Sequence, residues 1–243
     1  TITSDDTGEA TVPASVTFTV ADWDTPQTVT VTGVDDSIID GTITSTITIA
    51  IDDDNSDDDF DGLDDQTVSV DTLDDDVAGF TIEETDGSTE VDESGSTDIF
   101  TIVLDAQPTN DVVVLATASN DETEATVSGS ITFTSENWDT PQTVTVTGVD
   151  DDLVDGDQTY DITISIVDTI SDDEFDGVAD QSVSSTTLDD DAPGFTIEET
   201  DAATEVDESG STDIFTVVLD AQPTSDVVLT ITSDDTGEAT VPA

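Results

Sequence analysis

The chain has 243 residues, of which 62 are Asp or Glu and none is Lys, Arg or His, so its formal charge is −62 and no side chain can act as an internal counter-ion. That balance excludes the basic footprint that nucleic acid or an anionic membrane surface requires, and the absence of Cys excludes disulfides and zinc–thiolate sites. Hydrophobic residues still make up 33% of the chain, and they fall in alternating runs, which argues for folded strands over disorder.

In chain order, the first segment opens with TITSDDTGEATVPA (Thr1–Ala14) and continues into a strand, WDTPQTVTV, that begins at Trp23. An acid loop follows at Asp35, Asp36 and Asp40. The stretch DDDNSDDDFDGLDD (Asp52–Asp65) reads as a long hairpin connection. It is not an EF-hand, because it lacks the twelve-residue pattern that closes on a Glu, and no helix flanks it. The segment ends on the run Asp74, Asp75 and Asp76.

From Val77 the pattern starts again. GFTIEETD at Gly79 leads to VDESGST, which carries Glu93, and then to a strand with Phe100, Ile102 and Leu104 on one face. After the turn LDAQPT, period-two alternation places Ile131 with Phe133, Val144 with Val146, and Tyr160 with Ile162, Ile164 and Ile166. The opposite faces are mostly Thr, Ser and Asp, as suits a solvated pleated surface. Trp138, like Trp23, opens a WDTPQTVTV strand and is expected to plug the end of a sandwich. SDDEFDGVAD (Ser171–Asp180) is a second long hairpin connection, and TTLDDD ends the pass at Asp191. No stretch has helical periodicity.

The last segment begins a third pass, since GFTIEETD recurs at Gly194, VDESGST recurs around Glu208 and LDAQPT recurs at Leu219, each 115 residues after its first occurrence. TITSDDTGEATVPA returns unchanged at Thr230–Ala243. Such a period is too long for a solenoid repeat and matches a complete small domain. The expected organisation is the C-terminal part of one domain over 1–76, a complete domain over 77–191 and the N-terminal part of another over 192–243. With about seven strands per repeat and turns every 8–15 residues, the fold class is all-β, a linear array of immunoglobulin-like sandwiches. Two arrangements fit: a window on a longer polypeptide, or subunits that complete one another's sandwich by strand addition.

The acids gather at turns, which in a sandwich meet at its two ends. In the complete repeat they are Glu93, the loop Asp150, Asp151, Asp155 and Asp157, and the run Asp189, Asp190 and Asp191. Two carboxylates about 4 Å apart repel by roughly 4 kcal/mol at an effective dielectric near 20, so such a cluster calls for a cation. Calcium takes six to eight oxygen ligands in irregular geometry, and paired Asp residues with backbone carbonyls can supply that set.

Taken together, VDESGST, NWDTPQTVTVTGVDDDLVDGD and the closing TTLDDD resemble the Calx-beta repeat family, and the likeness extends over both flanking segments. The resemblance implies calcium held at one domain end by an early Glu, an inner acid loop and a terminal Asp run. Carried onto this sequence, it implicates Glu93, Asp150, Asp151, Asp155, Asp189, Asp190 and Asp191 in the complete repeat. In the first segment it implicates Asp35, Asp36, Asp40, Asp74, Asp75 and Asp76, and in the last Glu208. The expected function is a calcium-rigidified structural repeat of a secreted or cell-surface fibre, stalk or matrix protein, not an enzyme. Its partners would be neighbouring repeats or filament-forming copies of itself. Calcium-dependent adhesion to cells or surfaces, or a donor-strand filament subunit, is the alternative.

Overall fold

The computed structural model describes residues 1–119, 123–200 and 202–241. The first segment forms β1 (Ile2–Ser4), β2 (Ala10–Thr11), β3 (Thr32–Gly33), β4 (Ile43–Ile49) and β5 (Gln66–Thr72). The central segment forms β6 (Phe80–Glu84), β7 (Thr89–Asp92), β8 (Thr97–Leu104), β9 (Val112–Ala118) and β10 (Ala125–Val127). It continues with β11 (Ser130–Phe133), β12 (Gln142–Gly148), β13 (Gln158–Ile166) and β14 (Gln181–Leu188). The last contributes β15 (Phe195–Glu199) and β16 (Phe215–Leu219). Apart from strands, only short 3-10 turns occur among the described residues, and no helix there is long and apolar enough to cross a membrane.

The central strands build two sheets, in the orders β10-β12-β8-β6 and β11-β9-β13-β14-β7. All pairings are antiparallel except that of β14 with β7, which runs parallel along the edge. The alternation expected from the sequence holds: Phe100, Ile102, Leu104, Phe133, Val144, Val146, Ile162 and Ile164 join one core between the two sheets. This is a β-sandwich whose layers interdigitate across their inner faces. The central segment has nine strands where periodicity suggested about seven, because β7 and β10 are four- and three-residue pieces too short to show a clear alternation. Trp138 packs against the core as a partly buried plug.

Close approach fixes one detail near the acid end. A β-carbon on Gly148 would collide with the Asp92 carbonyl, so the end of β12 can pass the end of β7 only with a glycine there.

Both hairpin connections are confirmed: β13 pairs with β14, and β4 with β5. In the former, Phe175 is fully buried and the Asp172 carboxylate accepts from the Thr109 and Asn110 N–H groups at 2.8 and 2.7 Å and from the Thr109 hydroxyl at 2.8 Å. Its other oxygen accepts from the Glu174 N–H at 3.2 Å. These bonds hold Asp172 below its ordinary carboxylate range despite its burial. That connection is a plug anchored by protein donors.

The flanking segments repeat parts of this architecture with one layer open. Phe133 is 0% exposed while Phe18, its counterpart 115 residues earlier, is 53% exposed. Likewise Phe80 is 3% exposed and Phe195 is 51% exposed. Closely similar local sequence thus buries these two phenylalanines in the central sandwich and leaves their counterparts half exposed. Trp23, at 71% exposed, lacks the packing that Trp138 has.

Candidate metal centre

One end of the central sandwich collects acids from four elements. Glu93 sits just past β7, where its N–H donates to the Leu188 carbonyl at 3.2 Å and ties it to β14. Directly after β14 comes the run Asp189, Asp190 and Asp191, so the parallel pairing of β7 with β14 delivers Glu93 and that run to the same place. The inner loop between β12 and β13 brings Asp151 and Asp155, and Glu124 precedes β10.

Backbone bonds shape the loops. Asp189 Oδ2 accepts from the Gly156 N–H at 2.6 Å and its Oδ1 from the Asp191 N–H at 2.8 Å. Gly156 has φ +77°, a conformation that favours glycine and turns the loop back toward the Asp run. Asp151 Oδ1 accepts from the Leu153 N–H at 2.6 Å, an Asx turn that sets the loop's entry. The first segment repeats the pattern, with Asp74 Oδ2 accepting from the Asp40 and Gly41 N–H groups at 3.1 and 2.8 Å and Asp74 Oδ1 from the Asp76 N–H at 2.9 Å.

Glu93 is 1% exposed, and its Oε2 has no hydrogen-bond partner; Asp191 Oδ2 is a second such buried oxygen. Carboxylate oxygens of Glu93, Asp190 and Asp191 all lie within 4.8 Å of one another. Burial, and then the charges of Asp151 and Asp189, push the Glu93 carboxyl up to about 7, against the pull of the Asp190 N–H. Asp191 is also raised, by burial and by Asp152, Asp189 and Asp190. An orphaned buried carboxylate oxygen is expensive. In a chain without Lys, Arg or His, no side-chain cation can compensate it, whereas a proton or a bound cation would. The donor set, all oxygen and all anionic, fits a hard cation such as calcium.

In the first segment, oxygens of Glu9, Asp36 and Asp40 lie within 4.8 Å of one another. They share a concavity with Asp35, Asp74, Asp75 and Asp76. Glu9, Asp40 and Asp76 are all raised, in each case by burial first and neighbouring acids second.

Most of the residues singled out in the sequence therefore converge. Asp151, Asp155, Asp189, Asp190 and Asp191 surround Glu93 or Glu124 closely enough to act on their carboxyls or to share the cluster. Asp150 is exposed, and Glu208 is exposed in a segment without an acid loop of its own. Sequence reasoning missed Glu9 and its counterpart Glu124. Burial and the charges of Asp155 and Asp151 raise Glu124. The usable signal was present, since an EAT triplet recurs at Glu9, Glu124 and Glu238 beside an acid-rich turn.

Comparison with protein-family models gives no match, and neither does comparison with curated proteins. Similar solved structures include the apo-form Calx CBD1 domain, 17% identical over 46% of this chain and 98% of that one, with a TM-score of 0.33. CBD12 from CALX1.2 is 19% identical over 53% and 51% of the two chains, with a TM-score of 0.33. Domains 1-6 of the surface layer protein SbsC are 15% identical over 91% of this chain and 28% of that one, with a TM-score of 0.37. The chain thus spans nearly all of the single Calx domain but about half of CBD12 and under a third of the SbsC piece.

Proposed function

We propose that the acid end of each sandwich holds calcium, and that the chain is a calcium-stiffened structural repeat of a secreted or cell-surface fibre, stalk or matrix protein. The observation that carries this reading is Glu93 Oε2, a buried carboxylate oxygen without a donor, grouped with Asp190 and Asp191 in a chain that has no cationic side chain. A divalent ion there would replace the missing donor and quench the mutual repulsion of the surrounding acids. Glu93, Asp190 and Asp191 would be its ligands, with Glu124, Asp151, Asp155 and Asp189 beside them. Asp35, Asp36, Asp40, Asp74, Asp75 and Asp76 would do the same with Glu9 in the first segment. Calcium suits the arrangement better than magnesium, which demands a tight octahedron and keeps its waters.

Stiffness would follow from position. The Asp runs lead within a few residues into the next sandwich, through Val77 and Ala78 after Asp76 and through Ala192 and Pro193 after Asp191. Ordering the run therefore orders the linker, and Pro193 has a fixed φ. We assign the chain no catalytic role, since it has no His, Cys or Lys for acid–base or nucleophilic work.

Calorimetric titration of the metal-stripped chain with calcium chloride, paired with thermal melting, tests the proposal. Saturable uptake with a rise in melting temperature is expected; at a hundredfold excess over Kd the stabilisation is about 2.7 kcal/mol per site. No uptake, with the same melting temperature in calcium and in EDTA, would overturn it.

A further inference from the structure

The acid loops also have a side that faces away from the acids. Between Asp36 and Asp40 lie Ser37, Ile38 and Ile39, and between Asp151 and Asp155 lie Asp152, Leu153 and Val154. At the first junction Ile38 forms an isolated parallel bridge with Gln107, whose N–H donates to the Ser37 carbonyl at 2.7 Å. At the second, Leu153 bridges Gln222, whose N–H donates to the Asp152 carbonyl at 2.5 Å. Gln107 and Gln222 occupy the same place in the LDAQPT turn of two successive repeats.

The next residue of each loop is apolar and enters the following sandwich. Ile39 packs against the central core, although it belongs to the preceding segment. Val154 lines an apolar recess with Pro193, Phe195, Leu219 and Pro223 of the last segment. The same turn is tied to the linker: the Asp105 N–H donates to the Gly79 carbonyl at 3.0 Å, and the Asp220 N–H to the Gly194 carbonyl at 3.0 Å.

We infer that each acid loop is a docking element for the following repeat, pairing through its middle residues with the LDAQPT turn and seating one apolar peg in the sandwich beyond. The two junctions share the same main-chain bond between equivalent residues, Gln107 to Ser37 and Gln222 to Asp152, so the same joint recurs from one repeat to the next, as a regular rod requires. The joint is made by main-chain bonds and apolar contact. It stands apart from the reading that the acids hold metal, and it adds to the covalent linker a second point of attachment, which converts a hinge into a fixed joint. A single peptide connection leaves neighbouring domains free to swing unless their interface resists it.

Two double variants of the full chain test this. Ile39→Ser with Val154→Ser removes both pegs, and Gln107→Pro with Gln222→Pro removes both strap donors while leaving every acid in place. Small-angle scattering in calcium is expected to show, for each, a pair-distance distribution broadened and shifted to shorter distances relative to the parent chain. Circular dichroism identifies variants that keep their sheet content, and the serine pair decides the matter if proline disturbs the turn. Scattering from a folded variant that superimposes on the parent's overturns the inference. Calcium uptake measured on the same samples separates the two readings, because a parent that binds no calcium defeats the metal proposal while the scattering comparison still judges the joint.

Discussion

Glu93 and Asp191 belong to opposite ends of the repeat in sequence, yet their carboxylates share one cluster with oxygens within 4.8 Å, and each leaves a buried oxygen without a donor. The parallel pairing of β7 with β14 brings them together, since the residues following both strands emerge on the same side. Most of the chemistry expected of this chain follows from that proximity.

Replacing Glu93 with Gln separates the metal's demand from the fold's. The amide removes one anionic ligand, so calcium affinity should fall at least roughly tenfold, equivalent to about 1.4 kcal/mol. In EDTA at pH 8, where the Glu93 carboxyl is charged, the same variant should melt higher than the parent, because a buried unpaired charge has been deleted. Titration calorimetry and thermal melts measure the two effects, and a variant that binds calcium as the parent does would exclude Glu93 from the site.

The metal-free chain should lose stability as pH rises. Glu93 has an ordinary value of 4.5 and a folded value of about 7, so between these the folded state holds the extra proton. Its proton-linked contribution is fully present below about 4.5 and is lost as pH rises through about 7. Glu9, Glu124 and Asp191, also raised, act in the same direction. In EDTA the melting temperature should therefore be lower at pH 8 than at pH 5, with a shallower slope in Glu93→Gln. Calcium affinity should run the other way and increase with pH, since the metal displaces protons.

At the hairpin plug, Asp172→Ala should cost about 2 kcal/mol, because it removes the carboxylate that accepts from the Thr109 and Asn110 N–H groups. Urea unfolding in saturating calcium measures the loss. Calcium stoichiometry should not change, since protein donors already satisfy this acid.

Residues 77–191 expressed alone should fold as a free-standing sandwich that melts below the same segment in the full chain, since it lacks the Ile39 peg. A rejoined chain in which residue 229 precedes residue 1 contains the sequence of every strand in order. It should bury Phe18 and Phe195, which are 53% and 51% exposed in the present chain. Protection of these residues in hydrogen exchange, or near-ultraviolet dichroism from a packed Trp23, reports the outcome. A rejoined chain that stays unfolded in calcium would show the domain boundary to be misplaced.

Read alone, the sequence determined the repeat, the fold class and the inward face of the main strands, because side-chain alternation is a local property with a period of two. Phe100, Ile102, Val144, Val146, Ile162 and Ile164 are all buried as their spacing implies. It also located the acid turns, since clustering along the chain is visible without coordinates. Only the tertiary structure decided which acids meet and which of them are desolvated. Glu124 is one acid among many in sequence, and becomes notable because β10 carries it to the end of β14. Glu93 differs from Glu208 in surroundings and not in local motif: one is 1% exposed, the other is exposed where the opposing strands are missing. The docking of Ile38 on Gln107 was equally hidden, because a contact between loops of successive repeats leaves no periodic trace in either one. Burial and the pairing of distant loops are properties of assembled layers, and no single strand encodes them.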